Sequence, residues 1–405
     1  MPRLLFFAAT TGYQIRLFAE AARRLGIDVT LATDRCHVLD DPWGDRAIPV
    51  RFDDVAGSLA ALCGLQFDGV AAVGDAPAVL AAEAAAALGI RFHPPAAARA
   101  CHDKNLARRL FQAAGLPVPE FFRVPLAAGP EAAAERAPYP CVLKPLGLSA
   151  SRGVIRANDA REFVGAFRRI QAMLGHGDES LQVEAYIPGR EFAVEGIVTH
   201  GAVRFLAIFD KPDPLEGPFF EETIYVTPSR ESLAAQRQMR EAVAAAVGAL
   251  GLNHGPFHAE LRMNDSGVWM LEVAARPIGG LCARALRFDD GMPLEELLLR
   301  HAIGEDVSAL QLADAASGVM MIPIPRGGVY EDVAGVDEAR AVEGVDDVII
   351  TAKVGQTLVP LPEGAAYLGF IFARGGDPAS VERALREAHG RLRFQIATSL
   401  PTFKP

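Results

Sequence analysis

The segment LEVAARPIGG (271–280) sets an acid and a guanidinium inside an otherwise apolar run that is typical of a buried strand. Side chains alternate between the two faces of a strand, so Glu272 and Arg276 point to the same side. Charged side chains are rarely enclosed in this way unless a partner balances them. The pair is therefore a candidate for chemistry.

The residues just upstream predict a second strand that faces the first. FHAELRMNDSGVWM (257–270) is read as two strands joined by a three-residue turn at 265–267, in which Gly267 takes the left-handed conformation that such turns require. The register counted outward from this turn contains three pairs of interest: Asn264 with Val268, His258 with Ala274, and Glu260 with Glu272. One face of the hairpin then carries two carboxylates, an imidazole and the guanidinium.

Facing carboxylates repel each other, by about 3 kcal/mol at roughly 5 Å and an effective dielectric constant of ~20. A shared proton would remove the repulsion and give an acid–base pair, and a divalent cation would also remove it. Arg276 favours the cation, because Mg²⁺ is usually held by carboxylates together with substrate phosphates, and a guanidinium stabilises a transferring phosphoryl group. A solvent-exposed hairpin with incidental charges is the alternative.

Two further segments have features of a nucleotide site. PCVLKPLGLSASRG (140–153) is a strand that reaches Lys144 and continues into a loop of small residues, where ammonium and N–H groups suit phosphate oxygens. No GK[ST] follows, so the loop is not a Walker A motif. In LQVEAYIPGREFAVEGIV (181–198), the backbone of 184–187 suits an adenine edge and Glu191 suits ribose hydroxyls. The alternatives are an ordinary surface turn and a half-exposed strand.

Alternating strands and helices open the chain. Strands are predicted at 3–9, at 28–33 and in FDGVAAVG (67–74), and helices at 13–25 and 76–88, each ended by a glycine. This order is typical of a parallel α/β layer. The first strand is followed by AATTGYQ rather than GxGxxG, so the dinucleotide fingerprint is absent and we interpret this part as scaffold or substrate wall.

The length fits a multidomain α/β and α+β protein. At roughly 150 residues per domain, 405 residues suggest two to four domains. We predict an N-terminal parallel α/β domain at 1–95 and a two-lobed core at 96–310, with a small lid lobe at 118–187. A small C-terminal α+β domain is predicted at 311–405, with a helix near 378–391.

The net charge and the cysteines indicate which classes of partner and which cellular compartment to expect. A net charge of −10 without a dense basic run argues against a nucleic-acid surface. No stretch approaches the ~20 apolar residues that span a bilayer, and MPRLLFFAATTG is a better first strand than signal peptide. We expect a cytoplasmic protein with neither a membrane nor a nucleic-acid partner. Five scattered cysteines indicate buried free thiols in a reducing compartment: Cys36, Cys63, Cys101, Cys141 and Cys282.

Taken in order, these segments resemble the ATP-grasp superfamily over nearly the whole chain. The resemblance implies a pre-ATP-grasp N-terminal domain, a two-lobed ATP-grasp core, and ATP with Mg²⁺ or Mn²⁺ as cofactors. It implies Glu260 and Glu272 as metal ligands, and Arg276 and Lys144 as catalytic residues that stabilise the transferring phosphate. The implied nucleotide-binding residues are Lys104 on the helix at 103–114, Lys144, Ser149, Ser151, Gly153, Glu184, Ala185, Tyr186, Ile187 and Glu191.

The closer resemblance is to the L-amino acid ligase (dipeptide synthetase-like) branch. Many superfamily members carry Asn two residues after the second metal Glu, whereas this chain has Ala274, as that branch often does. HAE (258–260), DKPDPLEGPFFEETIYVTPS (210–229) and MMIPIPRGG (320–328) are also similar to it. The implied substrate residues are Glu222, as partner of an amino acid ammonium, Tyr225, Gly279, Gly280 and His258. His258 is either a base for the amine or, in preference, a residue that acts through its neighbours.

The resemblance implies an ATP-dependent carboxylate–amine ligase. A carboxylate takes the γ-phosphoryl group of ATP to give an acyl phosphate and ADP, and an amine then displaces phosphate, with a dipeptide-type bond as product. The loop at 147–153 is expected to close over ATP, because an acyl phosphate must be kept from water. The alternatives are another ATP-grasp reaction, such as a biotin-carboxylase-like carboxylation, and a nucleotide-binding protein without catalysis. A homodimer is expected from the family.

Overall fold

A parallel sheet forms the N-terminal part of the protein, in a computed structural model that describes residues 1–10, 13–34, 47–175 and 179–398. Its strands run in the order β3-β2-β1-β4, and all neighbouring pairs are parallel. The elements are β1 (Arg3–Ala8), α1 (Ile15–Leu25), β2 (Asp28–Thr33), β3 (Ile48–Pro49), α2 (Val55–Leu62), β4 (Gly69–Val73) and α3 (Asp75–Leu88). The predicted N-terminal α/β layer is confirmed, and α1 and α3 end at left-handed Gly26 and Gly89 as predicted.

Two short helices connect this layer to the rest of the chain. They are α4 (Pro95–His102) and α5 (Lys104–Ala113), separated by Asp103. The Asp103 carboxylate caps α5 by accepting hydrogen bonds from the backbone N–H groups of Asn105 and Leu106, at 2.9 and 3.0 Å. This cap fixes the start of the helix, and therefore the position of Lys104, its first residue.

An antiparallel sheet with its own hydrophobic core lies within the predicted lid lobe. Its strand order is β5-β8-β6-β7, and α7 packs Phe163, Phe167 and Ile170 into its core. The elements are β5 (Phe121–Pro125), α6 (Glu131–Arg136), β6 (Cys141–Pro145), β7 (Ile155–Ala157), α7 (Ala160–Leu174) and β8 (Ser180–Ala185). The lobe boundaries at 118 and 187 remain predictions.

An eight-stranded sheet is the centre of the molecule, in the order β13-β12-β9-β10-β11-β16-β20-β18. Its first five strands come from the predicted ATP-grasp core. The elements of that part are β9 (Arg190–Thr199), β10 (Ala202–Lys211), β11 (Ile224–Thr227), α8 (Leu233–Leu250), β12 (Gly255–Asn264), β13 (Gly267–Ala274), β14 (Arg287–Phe288), β15 (Met292–Pro293) and α9 (Leu294–Ala302).

The C-terminal segment forms a hydrophobic core together with Ile224 and Val226 of β11, and it shares the central sheet. Strand β16 pairs with β11, and β20 and β18 extend the sheet beyond it. The elements are β16 (Ala316–Ile322), β17 (Gly328–Ala334), α10 (Val336–Arg340), β18 (Val345–Ile350), β19 (Thr357–Leu358), β20 (Gly369–Gly375), α11 (Pro378–Arg391) and β21 (Arg393–Ala397). Strands β19, β17 and β21 form a separate three-stranded sheet, and α11 lies where a helix was predicted.

The β12–β13 hairpin has the predicted pairing at His258 and Glu260 but not at its turn. Asn264 pairs with Gly267 rather than Val268, so the turn is one residue shorter than predicted. An irregularity next to Glu260 leaves Leu271 as an extra residue in β13, which is a β-bulge. The bulge shifts the register back by one residue. Glu260 therefore pairs with Glu272, and His258 with Ala274, as predicted.

The cysteines of the described residues are all unpaired. Cys101, Cys141 and Cys282 are buried free thiols, as predicted, whereas Cys63 is exposed, against the prediction. Cys36 lies outside the described residues.

None of the helices in the described part of the chain combines the length and the apolar character needed to cross a membrane.

His93 joins the N-terminal layer to the central sheet. Its Nδ1 accepts a hydrogen bond from the backbone N–H of Asn253 at 3.2 Å, and its Nε2 donates to the carbonyl of Pro256 at 2.9 Å. One ring nitrogen accepts and the other donates, which requires a neutral imidazole. Burial lowers the pKa of His93 to about 4.

Acid is therefore expected to weaken the fold between pH 6.5 and pH 4. In this window the unfolded His93 takes up a proton while the folded imidazole stays neutral, so stability is complete above pH 6.5 and falls as the pH drops. We expect this residue to contribute a loss of about 3 kcal/mol, measured by urea unfolding at a series of pH values. In His93→Gln, which keeps a donor toward Pro256, the dependence on pH should be shallower. Identical slopes in the two proteins would contradict this account.

Candidate functional site

A cavity of about 330 Å³ collects the predicted site residues. Apart from Gly153 and Ala185, each of them lines its wall. The wall is assembled from all parts of the chain: Gln14 and Asp75 come from the N-terminal layer, Lys144 from the lid lobe and Tyr367 from the C-terminal segment. The central sheet supplies the acids, so the cavity lies where these parts meet.

The two predicted metal ligands face each other across β12 and β13 and remain partly open to the cavity. The side chain of Glu260 is 24% exposed and that of Glu272 is 28% exposed. Lys104 lies 3.5 Å from Glu272, and Lys211 lies 3.5 Å from Glu260. Burial raises the pKa of Glu260, but Lys211 and His258 outweigh burial and hold that pKa well below its usual value. Glu260 is therefore a carboxylate with cations beside it.

His258 lies between two carboxylates. Its Nδ1 contacts Glu195, and its Nε2 lies 3.1 Å from an oxygen of Glu260. Burial lowers the pKa of His258, but Glu195 and Glu260 together outweigh burial and raise that pKa to about 9. A protonated imidazole donates through both nitrogens and has no lone pair for an amine proton. The geometry thus favours a residue that orients Glu260 over a base.

Arg276 is held by an acid that the sequence did not reveal. Its Nε and Nη2 donate to the two carboxylate oxygens of Asp75, at 2.8 and 3.2 Å. Burial lowers the pKa of Arg276, but Asp75 and Glu272 raise it above its ordinary value. Asp75 begins α3, two residues after the end of β4, at the carboxyl end of a parallel strand, where α/β layers commonly place functional groups. That position was the signal that the sequence offered.

Lys211 is a second missed residue, with its side chain only 2% exposed. It donates to Glu191 at 2.9 Å and contacts Glu222, and it lies directly opposite Glu191 in the β9–β10 pairing. Arg262 takes the other oxygen of Glu191, also at 2.9 Å. Glu191, predicted to accept from ribose hydroxyls, thus already has a cation on each oxygen.

Three acids near Lys211 form a group that resembles a cation site. Ligand atoms of Glu191, Glu222 and Glu260 all lie within 4.8 Å of one another. The Lys211 ammonium already contacts all three, so the protein itself supplies the cation there. The facing pair Glu260 and Glu272 suits Mg²⁺ better, because hard carboxylate oxygens open to the cavity leave further ligand positions for phosphates and water.

The part of the cavity that contains the predicted nucleotide-binding residues is organised around a buried acid. Glu184 has a side chain 2% exposed, contacts Lys144 and accepts from Arg108 at 2.9 Å. Burial raises the pKa of Glu184, but Arg108 and Lys144 lower it to about 2. Because this carboxylate is buried and paired, its clearest contribution is to hold Lys144 at the end of β6.

Part of the predicted adenine-binding backbone is already bonded. The N–H groups of Ala185 and Tyr186 donate to the carbonyls of Glu120 and Pro140, at 2.9 and 2.8 Å. The N–H of Ile187 makes no hydrogen bond within the described residues, and its carbonyl accepts from Arg262 at 2.7 Å. Within 184–187, Ile187 is the N–H donor best placed for a base edge.

The loop at 147–153 is strained and tied at both ends. Ala150 and Ser151 have φ angles of 54° and 55°, in the left-handed region that non-glycine residues rarely adopt. Lys104 donates to the carbonyl of Leu148 at 2.5 Å, and the N–H of Gly153 donates to the carbonyl of Pro362 at 2.9 Å. Ser149 and Ser151 line the cavity, whereas Gly153 serves as the tie to the C-terminal segment.

Glu222 and Tyr225 mark the other end of the cavity. Burial and the nearby Glu260 raise the pKa of Glu222. Tyr225 is 2% exposed, and its hydroxyl has no hydrogen-bond partner in the part of the chain that the structure describes. Gly279 and Gly280 complete this end, with Gly280 at a φ of 61° next to the ring of Phe370.

Family models match two segments of the chain. Residues 137–285 match the ATP-grasp domain, and residues 320–397 match the L-amino acid ligase C-terminal domain 2. Both segments contribute to the cavity wall. The first contains Lys144, Glu260, Glu272 and Arg276.

Solved and curated relatives extend the similarity over the whole chain. The crystal structure of an L-amino acid ligase from Bacillus licheniformis superposes with a TM-score of 0.84 at 27% identity, covering 98% of this chain and 99% of that one. The uncharacterized protein y4rH of Sinorhizobium fredii is 24% identical, covering 98% of this chain and 84% of its own length. Alanine–anticapsin ligase of Bacillus subtilis is 28% identical, and the match covers 54% of this chain and 50% of that relative.

The matches agree with the resemblance seen in the sequence. The fold, the cavity and the order of the matched segments are all those expected of an ATP-grasp ligase. Residues 137–285 are an ATP-grasp domain, residues 320–397 are a C-terminal domain of the L-amino acid ligase type, and the chain is an ATP-dependent ligase.

Proposed function

We propose that this protein joins a carboxylate to an amine, with an amino acid among its substrates and an amide of dipeptide type as product. The observation that carries the proposal is the facing pair Glu260 and Glu272, with Arg276 and Lys104 beside it in one cavity. An enclosed pair of carboxylates surrounded by cations suits a metal–triphosphate complex. It has no evident purpose in a protein that only stores a neutral ligand.

Mg²⁺ or Mn²⁺ is the proposed metal cofactor, held by Glu260 and Glu272. Ala274 offers no ligand atom where many relatives have Asn, so phosphate oxygens or water fill the remaining positions. When bound, the metal supplies charge neutralisation for the phosphoryl oxygens. Lys104, Lys144 and Arg276 supply the protein's own share of that neutralisation.

ATP is proposed to lie between the lid lobe and the central sheet. Lys104, Lys144 and the loop at 147–153 face the phosphates, Ile187 faces the base, and Glu191 faces the ribose. Carboxylate oxygens have more than one lone pair, so Glu191 retains capacity for a hydroxyl although Lys211 and Arg262 are bonded to it.

The proposed reaction proceeds in two steps. A carboxylate oxygen attacks the γ-phosphorus and the bond to ADP breaks, which gives an acyl phosphate. The amine nitrogen then attacks the acyl carbon, the carbon–oxygen bond breaks, and phosphate leaves with the oxygen that came from the carboxylate. The protein positions the reactants and excludes water, and it forms no covalent bond to them.

Glu222 is the proposed partner of the substrate ammonium. One of its oxygens contacts Lys211, while the side chain lines the cavity beside Tyr225. Gly279 and Gly280 are proposed to present N–H groups to the acyl oxygen. A cytoplasmic location, a homodimer, and the absence of membrane and nucleic-acid partners are also retained as proposals from the sequence.

A phosphate-release screen tests the ligase proposal. Each of the twenty amino acids, singly and in pairs, is incubated with ATP and Mg²⁺, and we expect ADP and phosphate to form only with particular pairs. When the carboxylate substrate is labelled with ¹⁸O, one labelled oxygen should appear in the released phosphate. Glu272→Gln should abolish turnover at saturating ATP.

Four results would contradict the proposal or one of its parts. Phosphate without ¹⁸O would rule out the acyl phosphate, and bicarbonate-dependent ADP release without any amine would favour carboxylation. Normal turnover of Glu272→Gln would remove the metal assignment. ATP binding without phosphate release in any mixture would favour a non-catalytic nucleotide-binding protein.

The Glu222 assignment has its own test. Glu222→Gln removes a charge-assisted hydrogen bond to the substrate ammonium, so we expect the KM for the amino acid to rise roughly 10- to 100-fold. The KM for ATP should change less than threefold. The neighbouring Glu221→Gln, outside the cavity wall, serves as the matched control and should keep both constants. An equal rise in both KM values for Glu222→Gln would argue against this assignment.

A further inference from the structure

The guanidinium of Arg276 is held along one edge by Asp75, and some of its N–H donors are not used by this contact. Nε and Nη2 donate to Asp75, and Nη1 donates to the carbonyl of Pro277 at 3.0 Å. These bonds use three of the five N–H donors that a guanidinium carries. The remaining two make no hydrogen bond within the described residues, and because both Arg276 and Asp75 line the cavity, these donors can serve phosphoryl oxygens.

Asp75 fixes the plane of the guanidinium as well as its position. Two parallel hydrogen bonds between a carboxylate and a guanidinium permit little rotation, unlike a single contact. The two side chains are enclosed, with 17% of Asp75 and 12% of Arg276 exposed. Burial raises the pKa of the Asp75 carboxyl, but Arg276, Lys104 and His102 together outweigh burial and hold that pKa below its usual value.

The backbone that follows Arg276 is held from the same side. The side-chain amide of Gln14 donates to the carbonyl of Ile278 at 2.6 Å, and the N–H of Ile278 donates to Glu195 at 3.1 Å. Gln14 precedes α1 and Asp75 begins α3, so both belong to the N-terminal layer. This layer therefore holds the segment that carries Arg276 at two separate points.

We propose that Asp75 is a positioning residue for phosphoryl transfer, which aims the two free N–H groups of Arg276 at the group being transferred. The proposal rests on the proposed function, both for the transfer of a phosphoryl group and for the identity of the acceptor. It makes the N-terminal layer part of the reaction centre rather than only a scaffold. The competing account is an ion pair that merely joins two parts of the fold.

Kinetics of Asp75→Asn, Arg276→Lys and the double variant separate these accounts. If Asp75 acts through Arg276, Asp75→Asn should lower kcat for phosphate release about 10- to 100-fold, while the KM for ATP stays within threefold. Arg276→Lys keeps the charge but loses the planar fork, so adding Asp75→Asn to it should slow the reaction less than twofold further. Asp54→Asn is the matched control and should keep wild-type kcat, because Asp54 lies at the start of α2 and its side chain bonds only to the backbone N–H of Gly57 within the described residues.

The outcomes are distinct from those that decide the ligase proposal. Independent, multiplying effects in the double variant, or an unchanged kcat in Asp75→Asn, would overturn the positioning role. A thermal midpoint that falls several degrees with no change in kcat would leave only the joining role. If the wild-type protein releases no phosphate with any carboxylate, the ligase proposal fails by itself, and the same cycle is then measured on the slow hydrolysis of ATP by water.

Discussion

Repulsion between the facing carboxylates of Glu260 and Glu272 is the constraint to which the rest of the site responds. Two acids on neighbouring strands of an enclosed face need a shared proton or nearby cations to offset their repulsion, and here the protein supplies cations. Lys211 and His258 approach Glu260, and Lys104 approaches Glu272. These cations come from different segments of the chain. The fold must therefore bring distant segments together before the acids can share a face.

The sequence predicted best where its signals are local. Helical spacing ended by glycine located α1 and α3. Strand alternation predicted Glu272 and Arg276 on one side, and both line the cavity although β13 ends at Ala274, before Arg276. The opposition of Glu260 and Glu272 was also predicted, although the turn was not. The turn is one residue shorter than predicted, and the bulge at Leu271 adds one residue to β13, so the two shifts in register offset each other. Neither feature has a clear signature in NDSGVWML, so this agreement came from two errors of opposite sign.

Partners that lie far apart in the sequence were not predicted. Asp75 lies 201 residues before Arg276, and the local sequence around either residue does not indicate that the two are partners. Predicting the role of Lys211 would have required the β9–β10 pairing, which the sequence pattern did not define. Without that pairing, Lys211 cannot be distinguished from any other lysine at the end of a strand. A charged residue in a strand has the same local pattern whether it faces water or another charge. Only the pairing of the strands distinguishes the two.

The shared central sheet has a consequence for dissecting this enzyme into modules. Strand β16 pairs with all four residues of β11, from Ile224 to Thr227. Cutting the chain near residue 311 would leave β11 as a bare sheet edge with Ile224 and Val226, now 1% and 0% exposed, beside it. Such an apolar edge invites pairing with other chains. The last quarter of the protein is therefore not an independent module. Chimeras between relatives should take β11 and β16 from the same parent.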